Sequence, residues 1–177
     1  MNIFYLSHSP KLAAEYHCDK HCVKMILEAA QLLSTAHRVL DGEQYTELTE
    51  SNRRIKRWKH PNVDFENNLY KATHINHPSA VWVRESETHY VWLYRHFLCL
   101  MAEYTKRYGK IHACTKMVSL LEIVPTNIPK TQFKFPPQAM PDDVKDSDTV
   151  TAYRNYYMVY KRDISKWKSG CVPEWYK

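Results

Sequence analysis

The chain has 177 residues, of which 44% are hydrophobic, so it can bury one sizeable core and general disorder is excluded. It has only 3 glycines and neither a GxGxxG nor a GxxxxGK motif, which excludes the common phosphate-cradling loops. The net charge of +6 favours a polyanionic partner, with nucleic acid ahead of a membrane surface.

The cysteines and the first residues bear on the cellular compartment. Residues 1–11 lack the basic leader and long apolar stretch of a signal peptide, and no apolar run approaches the ~18 residues of a membrane span. An odd, scattered set of cysteines without a leader predicts free thiols in a reducing, cytoplasmic environment. The cysteines are Cys18, Cys22, Cys99, Cys114 and Cys171.

The first predicted elements are a short apolar segment, MNIFYL, and a long helix. Ser9 is a candidate N-cap and Pro10 suits the first helical position, while the Asp-Gly pair at 41–42 favours an end after about Leu40. A helix of about thirty residues is long for a globular protein, so we expect a break near His17.

Polar side chains recur along one face of this helix at steps of three and four residues. Such faces are usually only solvated, and Lys24 with Glu28 can form a surface ion pair. This face, however, surrounds one carboxylate, Glu28, with imidazole, ammonium and amide groups, which indicates a site for chemistry. The polar stripe consists of His17, His21, Lys24, Glu28, Gln31 and Thr35. Val23, Ile26, Leu27, Ala30 and Leu33 fall on the other side and are predicted to enter the core.

The motif His17-Cys18-x-x-His21-Cys22 raises the question of a metal site. On a helix, positions 17 and 21 point about 100° away from positions 18 and 22, so the four side chains cannot close on one tetrahedral ion. A zinc ion would need further ligands, such as His74 or His77. We therefore assign no metal ligand, and the question stays open.

Residues 43–80 are predicted to form a loop and a short helix, and they contain the densest basic run of the chain, SNRRIKRWKH. This run is either a solvated loop or a loop that contacts phosphate through Arg53, Arg54 and Arg57. In the second case, Trp58 is available to stack on a base or to wedge between bases.

A second long helix, introduced by His77-Pro78 and closed by Gly109, leads into the remaining predicted elements. The predicted ranges are Ser79–Tyr108 for the second long helix, about 113–123 for a short helix, 124–145 for an extended Pro-rich connection and about 147–167 for the last helix. The chain is thus predicted to be mainly α. We expect a single domain over residues 1–177, with three or four helices and long Pro-rich connecting loops.

Asp19, His21 and Glu28 resemble the first helix of the pyrimidine-dimer DNA glycosylases, the endonuclease V family, in which Asp-x-His is followed seven residues later by the catalytic Glu. The start MNIFYLSHSPK and the motif Asn76-His77-Pro78 are similar to the bacterial branch of that superfamily. The HCDKH motif also resembles a group of small phage-encoded proteins, for which the host cytoplasm is the expected location.

Later parts of the chain agree with this resemblance in their order. The run from Glu103-Tyr104 to Arg107-Tyr108-Gly109 is similar to the end of the family's second long helix. Tyr156-Tyr157 with Lys161 resembles the aromatic and basic segment that touches the lesion, and the closing PEWYK is a rival match to the same segment.

The resemblance implies a DNA N-glycosylase that acts as a monomer, without a cofactor, on a damaged or modified pyrimidine in duplex DNA. In the implied mechanism the terminal α-amine attacks C1′ of the nucleotide, the base leaves, and a following AP-lyase step cuts the strand from a Schiff base. Glu28 stabilises the cationic sugar and moves protons, and His21 orients Glu28. Asn2 is too large for ready removal of Met1, so the amine is assigned to Met1.

The chain departs from the family beside Glu28. The family has arginines immediately before and three residues after its Glu, where this chain has Leu27 and Gln31. The departures leave two alternatives open: an enzyme that acts on another N-glycosidic bond, in a modified base or a free nucleotide, and a non-catalytic nucleic-acid-binding protein. The expected DNA-binding residues are Lys24, Gln31, Arg53, Arg54, Arg57, Trp58, His77, Arg84, Arg154, Tyr156, Tyr157 and Lys161.

Overall fold

The computed structural model describes residues 1–168 and 172–176, and within them it has seven α-helices and one two-stranded sheet. The helices are α1 (Pro10–Tyr16), α2 (Asp19–Asp41), α3 (Val63–Asn68), α4 (Pro78–Glu85), α5 (Glu87–Tyr108), α6 (Val118–Leu121) and α7 (Thr149–Tyr160). The strands are β1 (Glu43–Leu48) and β2 (Arg54–Lys59), and 3-10 turns cover Ala113–Met117, Asp142–Val144 and Arg162–Ile164. The mainly α prediction is confirmed, but three or four helices is too few. No helix in the described part of the chain is long and apolar enough to cross a membrane.

The expected break in the first long helix is confirmed, and it falls at His17 and Cys18, whose backbones are extended. The break leaves carbonyls at the end of α1 that no helical N–H can reach. The buried guanidinium of Arg107, on α5, donates to the carbonyls of Glu15 and His17 at 2.9 and 2.8 Å. The same guanidinium pairs with Asp19 at 3.1 Å, so one side chain satisfies the break and joins α5 to the start of α2.

The predicted second long helix is two helices, because the backbone is extended at Ser86. The Ser86 hydroxyl accepts from the N–H of Thr88 at 3.3 Å and starts α5 as a new N-cap. The start of α4 and the end of α5 agree with the predicted start and end of the single long helix. His77 caps α4 by accepting from the N–H of Ser79 at 3.2 Å, and Gly109 ends α5 in the left-handed conformation at φ 63.

Residues 43–59 form a β-hairpin instead of the predicted loop. The strands are antiparallel and run in register from Glu43 opposite Lys59 to Leu48 opposite Arg54. Asn52, at φ 60, makes the turn, and asparagine tolerates this left-handed conformation better than most residues. The predicted short helix in the same region is confirmed as α3.

The C-terminal third follows the prediction in outline. The segment 124–145 is extended apart from one 3-10 turn, whereas the last helix, α7, ends at Tyr160 rather than near 167. The short helix predicted over 113–123 is a 3-10 turn followed by α6. Cys18, Cys22, Cys99 and Cys114 are free thiols as predicted, while Cys171 and Lys177, the last residue of PEWYK, lie outside the described residues.

The apolar N-terminal segment, residues 1–6, is part of the core and covers one side of α2. The Phe4 ring stacks on His21 of α2, with centroids 4.2 Å apart, and on Tyr156 of α7 at 5.8 Å. Because this segment and α7 cover the polar stripe, part of the face that is predicted to enter the core is exposed to solvent. Val23 and Leu27 are 39% and 38% exposed. The buried members of that predicted face are Ile26, Ala30 and Leu33.

Candidate functional site

The start of the chain lies against the middle of α2, at Glu28. The backbone N–H of Asn2 donates to Oε2 of Glu28 at 2.9 Å, and Nζ of Lys24 lies 3.3 Å from Oε1. The Glu28 side chain is only 12% exposed, so these two contacts replace hydrogen bonds that the carboxylate would otherwise make with water. The terminal amine of Met1 is one residue before this N–H, about 3.8 Å of chain, and within the described residues the ion pair of Glu28 is made to Lys24.

Asn2 is buried, and its side chain fixes the path of the backbone beside Glu28. Its Oδ1 accepts from the N–H groups of Ile3 and Phe4 at 2.7 and 3.2 Å. Its Nδ2 donates to the carbonyl of Ala139, in the extended C-terminal connection, at 2.9 Å. The position of the terminal amine therefore depends on a hydrogen-bonded turn rather than on a free chain end.

His77 reaches the same charged group from the loop before α4. Partial burial lowers the pKa of His77, the terminal ammonium and His74 lower it further, and Glu28 acts in the opposite direction. Nδ1 of His77 is used to cap α4, which leaves Nε2 as the ring nitrogen for a contact with a substrate.

His21 has a structural environment. Its Nδ1 lies 2.5 Å from the hydroxyl of Tyr157, and its ring is stacked on Phe4. Burial, followed by the ammonium groups of Lys161 and Lys24, lowers the pKa of His21 to about 3. Nδ1 of His21 is used in the contact with Tyr157, so an orienting role toward Glu28, which stays a prediction, would have to involve Nε2.

The cations of the basic edge are Lys24, which pairs with Glu28, and Lys161, which lies on Tyr156 of α7. The Lys24 side chain is 70% exposed, and Nζ of Lys161 lies 4.7 Å from the centre of the Tyr156 ring. Tyr156 is half-buried, so part of its surface is accessible beside these cations. Ammonium groups next to an accessible aromatic ring suit a phosphate and a nucleic-acid base.

Four predicted DNA contacts have structural roles instead. Trp58 is 9% exposed and Tyr157 is fully buried, so neither can stack on a base. Arg154 donates to the carbonyl of Leu6 at 3.2 Å and lies over the rings of Tyr16 and Trp175. Arg84 donates to the carbonyl of Ala80, one turn back on α4, at 3.1 Å.

The other predicted contacts stay available in part. Arg53 and Arg54 are exposed on the hairpin, while Arg57 pairs with Glu47 at 2.7 Å. Gln31 is half-buried on α2, one turn beyond Glu28. Arg53 and Arg54 are therefore accessible to a partner, but they lie on a hairpin and not on the predicted loop.

The His–Cys motif of the first helix does not converge on an ion. Nδ1 of His17 bonds to the carbonyl of Ala13 at 2.6 Å, and the thiol of Cys22 faces the carbonyl of Leu100. Within the described residues, the ligand atoms close enough for one ion belong to His37, Asp41 and His60.

The structure thus brings a largely buried carboxylate, Glu28, together with the start of the chain on a helical scaffold. The family model of the pyrimidine dimer DNA glycosylases matches residues 1–117 of the 177, and the chain belongs to this family. The match covers Glu28 and His77, whereas Tyr156 and Lys161 lie beyond it. No curated protein and no solved structure matches the chain.

Proposed function

We propose that the protein is a DNA N-glycosylase that removes a damaged or modified pyrimidine from duplex DNA, with the α-amine of Met1 as nucleophile. The family is one of DNA glycosylases, and the choice of residues is our proposal. The observation that carries it is the 2.9 Å contact of the Asn2 N–H with Glu28, because this contact holds the start of the chain beside a largely buried carboxylate.

The amine and the carboxylate divide the chemistry between them. An α-amine titrates nearer to neutral pH than a lysine amine, so a larger share of it is nucleophilic. The amine attacks C1′, the N-glycosidic bond breaks, and its electron pair leaves with the base, which takes up a proton. Glu28 stabilises the positive charge on the sugar and accepts a proton from the attacking nitrogen.

The covalent product of the first step accounts for strand cleavage. The sugar ring then opens: the nitrogen lone pair displaces O4′, which takes up a proton, and a protonated imine forms between C1′ and the terminal nitrogen. The imine acidifies the C2′ proton, and its removal expels the 3′ phosphate by β-elimination. This AP-lyase step needs no cofactor, because the imine itself takes up the electron pair.

The surroundings of Glu28 suit a flipped nucleotide. C1′ is out of reach in a stacked duplex, and extruding a nucleotide costs a few kcal/mol, less at a lesion. Lys24 and Lys161 are placed to hold phosphates, and Tyr156 offers a ring on which a base can stack. A monomer suffices, because one chain supplies the amine, Glu28 and His77.

Replacement of Glu28 by Gln tests the proposal. Gln keeps an oxygen for the Asn2 N–H but has no charge and cannot take up the proton, so we expect base release to slow by roughly 100-fold or more. Release from a duplex with a thymine cyclobutane dimer would be measured beside DNA affinity, with the exposed Glu122→Gln as control. Unchanged base release by Glu28→Gln would contradict the proposal.

A second candidate function, cleavage of an N-glycosidic bond in a modified base or a free nucleotide, is favoured by the residues next to Glu28. Leu27 is exposed and Gln31 is uncharged, at the two positions where the resemblance implies phosphate-binding arginines. Without these arginines the site binds phosphate more weakly than the family resemblance implies, and this suits a different substrate. Base release from free nucleotides, with no dimer cleavage, would favour this candidate.

A further inference from the structure

A second cluster of titratable side chains lies at the other end of α2. His37 and Asp41 are one helical turn apart, and His60 directly follows β2. One candidate ligand atom from each of the three residues lies within 4.8 Å of the others. His37 is nine residues beyond Glu28, roughly 13 Å along the helix, so the cluster is separate from the proposed glycosylase site.

His37 is buried with a free lone pair on Nδ1. Its Nε2 lies 2.9 Å from the hydroxyl of Tyr90, and that hydroxyl donates its one proton to the carbonyl of Leu121 at 2.8 Å. Nε2 must therefore carry the ring proton and donate it to Tyr90, while Nδ1 has no hydrogen-bond partner. Metal-binding histidines are commonly fixed in this way, by a hydrogen bond from the ring nitrogen that does not bind the metal.

His60 also has one buried ring nitrogen without a partner. It is 5% exposed, its Nδ1 accepts from the N–H of Asn62 at 3.1 Å, and its Nε2 has no hydrogen bond. A buried polar atom left in this state costs about 1–3 kcal/mol. Together, His37 and His60 have two such nitrogens, on rings whose centroids are 6.1 Å apart.

Asp41 adds a carboxylate whose orientation is fixed. Its Oδ1 accepts from the N–H and the Nδ2 of Asn127 at 2.9 and 3.1 Å, whereas its Oδ2 accepts from the N–H of Thr126 at 2.8 Å and keeps a further lone pair. Asp41 and His60 also line an open cleft of about 540 Å³, which gives solvent access to the cluster. The nearby charge of Arg38 is compensated by its ion pair with Glu66.

We propose that His37, Asp41 and His60 bind a divalent transition metal of the Zn²⁺ type, with a fourth position open to the cleft. Two imidazoles, a carboxylate and a water are a common ligand set for zinc. Tetrahedral ligands at 2.0–2.1 Å from the ion lie about 3.3 Å apart, so the cluster contracts slightly on binding. For Nε2 of His60 to coordinate the ion, the ring proton moves from Nε2 to Nδ1, and Nδ1 gives up its contact with the Asn62 N–H. The ion joins the end of the hairpin to α2.

The metal content of the untagged, full-length protein tests this proposal. After dialysis against a small excess of Zn²⁺, elemental analysis is expected to find one ion per wild-type chain and none in His60→Gln. His112→Gln is the matched control, because Nδ1 of His112 accepts from the N–H of Cys114 at 3.2 Å, the same kind of cap. The control should retain the ion, as should Glu28→Gln, which separates this proposal from the glycosylase proposal.

A Co²⁺ spectrum gives a second readout that does not depend on a variant. Strong visible bands of four-coordinate Co²⁺ are expected for the wild type, and their loss in Asp41→Asn would assign the carboxylate. The proposal is overturned if the wild type holds no stoichiometric metal, if His60→Gln keeps it, or if the Co²⁺ bands are those of a six-coordinate surface ion. Should His60→Gln fail to fold, the wild-type metal content and spectrum still decide.

Discussion

At the scale of single residues, His21 and Glu28 lie two turns apart on α2 in different surroundings. The ring of His21 is stacked on Phe4, bonded to Tyr157 and held neutral by burial. Glu28 keeps its contacts with Lys24 and the start of the chain. The surroundings of His21 are those of a packed core residue, and the proposed acid–base chemistry on this helix rests on Glu28.

The buried His21 predicts a loss of stability in acid. Its pKa is about 3 in the folded protein against an ordinary 6.5, so below pH 6.5 the unfolded chain takes up a proton that the folded chain does not. Above pH 6.5 this proton therefore has little effect on the free energy of unfolding. As the pH is lowered to 5, it reduces the free energy of unfolding by about 2 kcal/mol. Denaturant unfolding at pH 7 and pH 5 would measure it.

The comparison needs a variant in which this proton uptake is removed. His21→Phe is expected to lose about 2 kcal/mol less than the wild type between the two pH values, whatever its absolute stability. The exposed His8→Gln should show the full wild-type loss. Equal losses for His21→Phe and the wild type would mean that His21 is protonated in the folded protein.

Single residues also show where sequence reasoning about the site succeeds and fails. Glu28 is predictable, because residue spacing alone places it at the centre of the polar stripe. The contact with Asn2 is not, since it depends on a turn that Asn2 makes with its own side chain and with the distant Ala139. Tyr157 looks like a substrate contact in the sequence, but the N-terminal segment buries it.

At the scale of secondary structure elements, local signals predict the helix ends and tertiary contacts set the breaks. Ser9 and Gly109 act as predicted, because capping depends on neighbouring residues. The break at Ser86 depends on the distant Pro129, whose carbonyl accepts from the N–H of Glu87 at 2.9 Å. The sequence does not predict the hairpin, because charged residues alternate with its strand-forming residues, and Asn52 at the turn is the one available signal.

The junction of α1, α2 and α5 depends on one buried cation. Replacement of Arg107 by Met would leave Asp19 without its ion pair and Glu103 with only the exposed Lys106, and it would remove the donor to the carbonyls of Glu15 and His17. We expect a loss of about 3–5 kcal/mol in the free energy of unfolding. Denaturant unfolding at neutral pH would measure it.

The neighbouring Lys106 provides the control for this prediction. Lys106 also pairs with Glu103, at 3.5 Å, but its side chain is largely exposed. An exposed pair is worth roughly 0–1 kcal/mol, so Lys106→Met should change stability little. Similar losses for the two variants would show that burial of the arginine is unimportant.

At the scale of the whole molecule, positive charge lies both at the basic edge beside Glu28 and on the hairpin. Register puts Lys56 opposite Thr46 and Arg54 opposite Leu48, on a face of the hairpin without a carboxylate. The other face carries the Arg57–Glu47 pair. The first face is the one expected to contact a phosphate backbone.

The salt dependence of DNA binding tests this assignment. If Arg54 and Lys56 each contact one phosphate, the double variant Arg54→Gln/Lys56→Gln lowers the slope of log affinity against log salt by about 1.8. Lys110→Gln/Lys116→Gln removes two exposed lysines elsewhere and should leave the slope unchanged. A slope that responds equally to both double variants would indicate that only net charge matters.

Borohydride trapping on duplex DNA with a thymine cyclobutane dimer tests the central claim most directly, since reduction makes the imine permanent. We expect a covalent adduct that peptide mapping locates at the α-amine of Met1, and that disappears when the N-terminus is blocked or Glu28 is replaced by Gln. No adduct and no base release, or an adduct on a lysine side chain, would contradict a mechanism based on the terminal amine and Glu28.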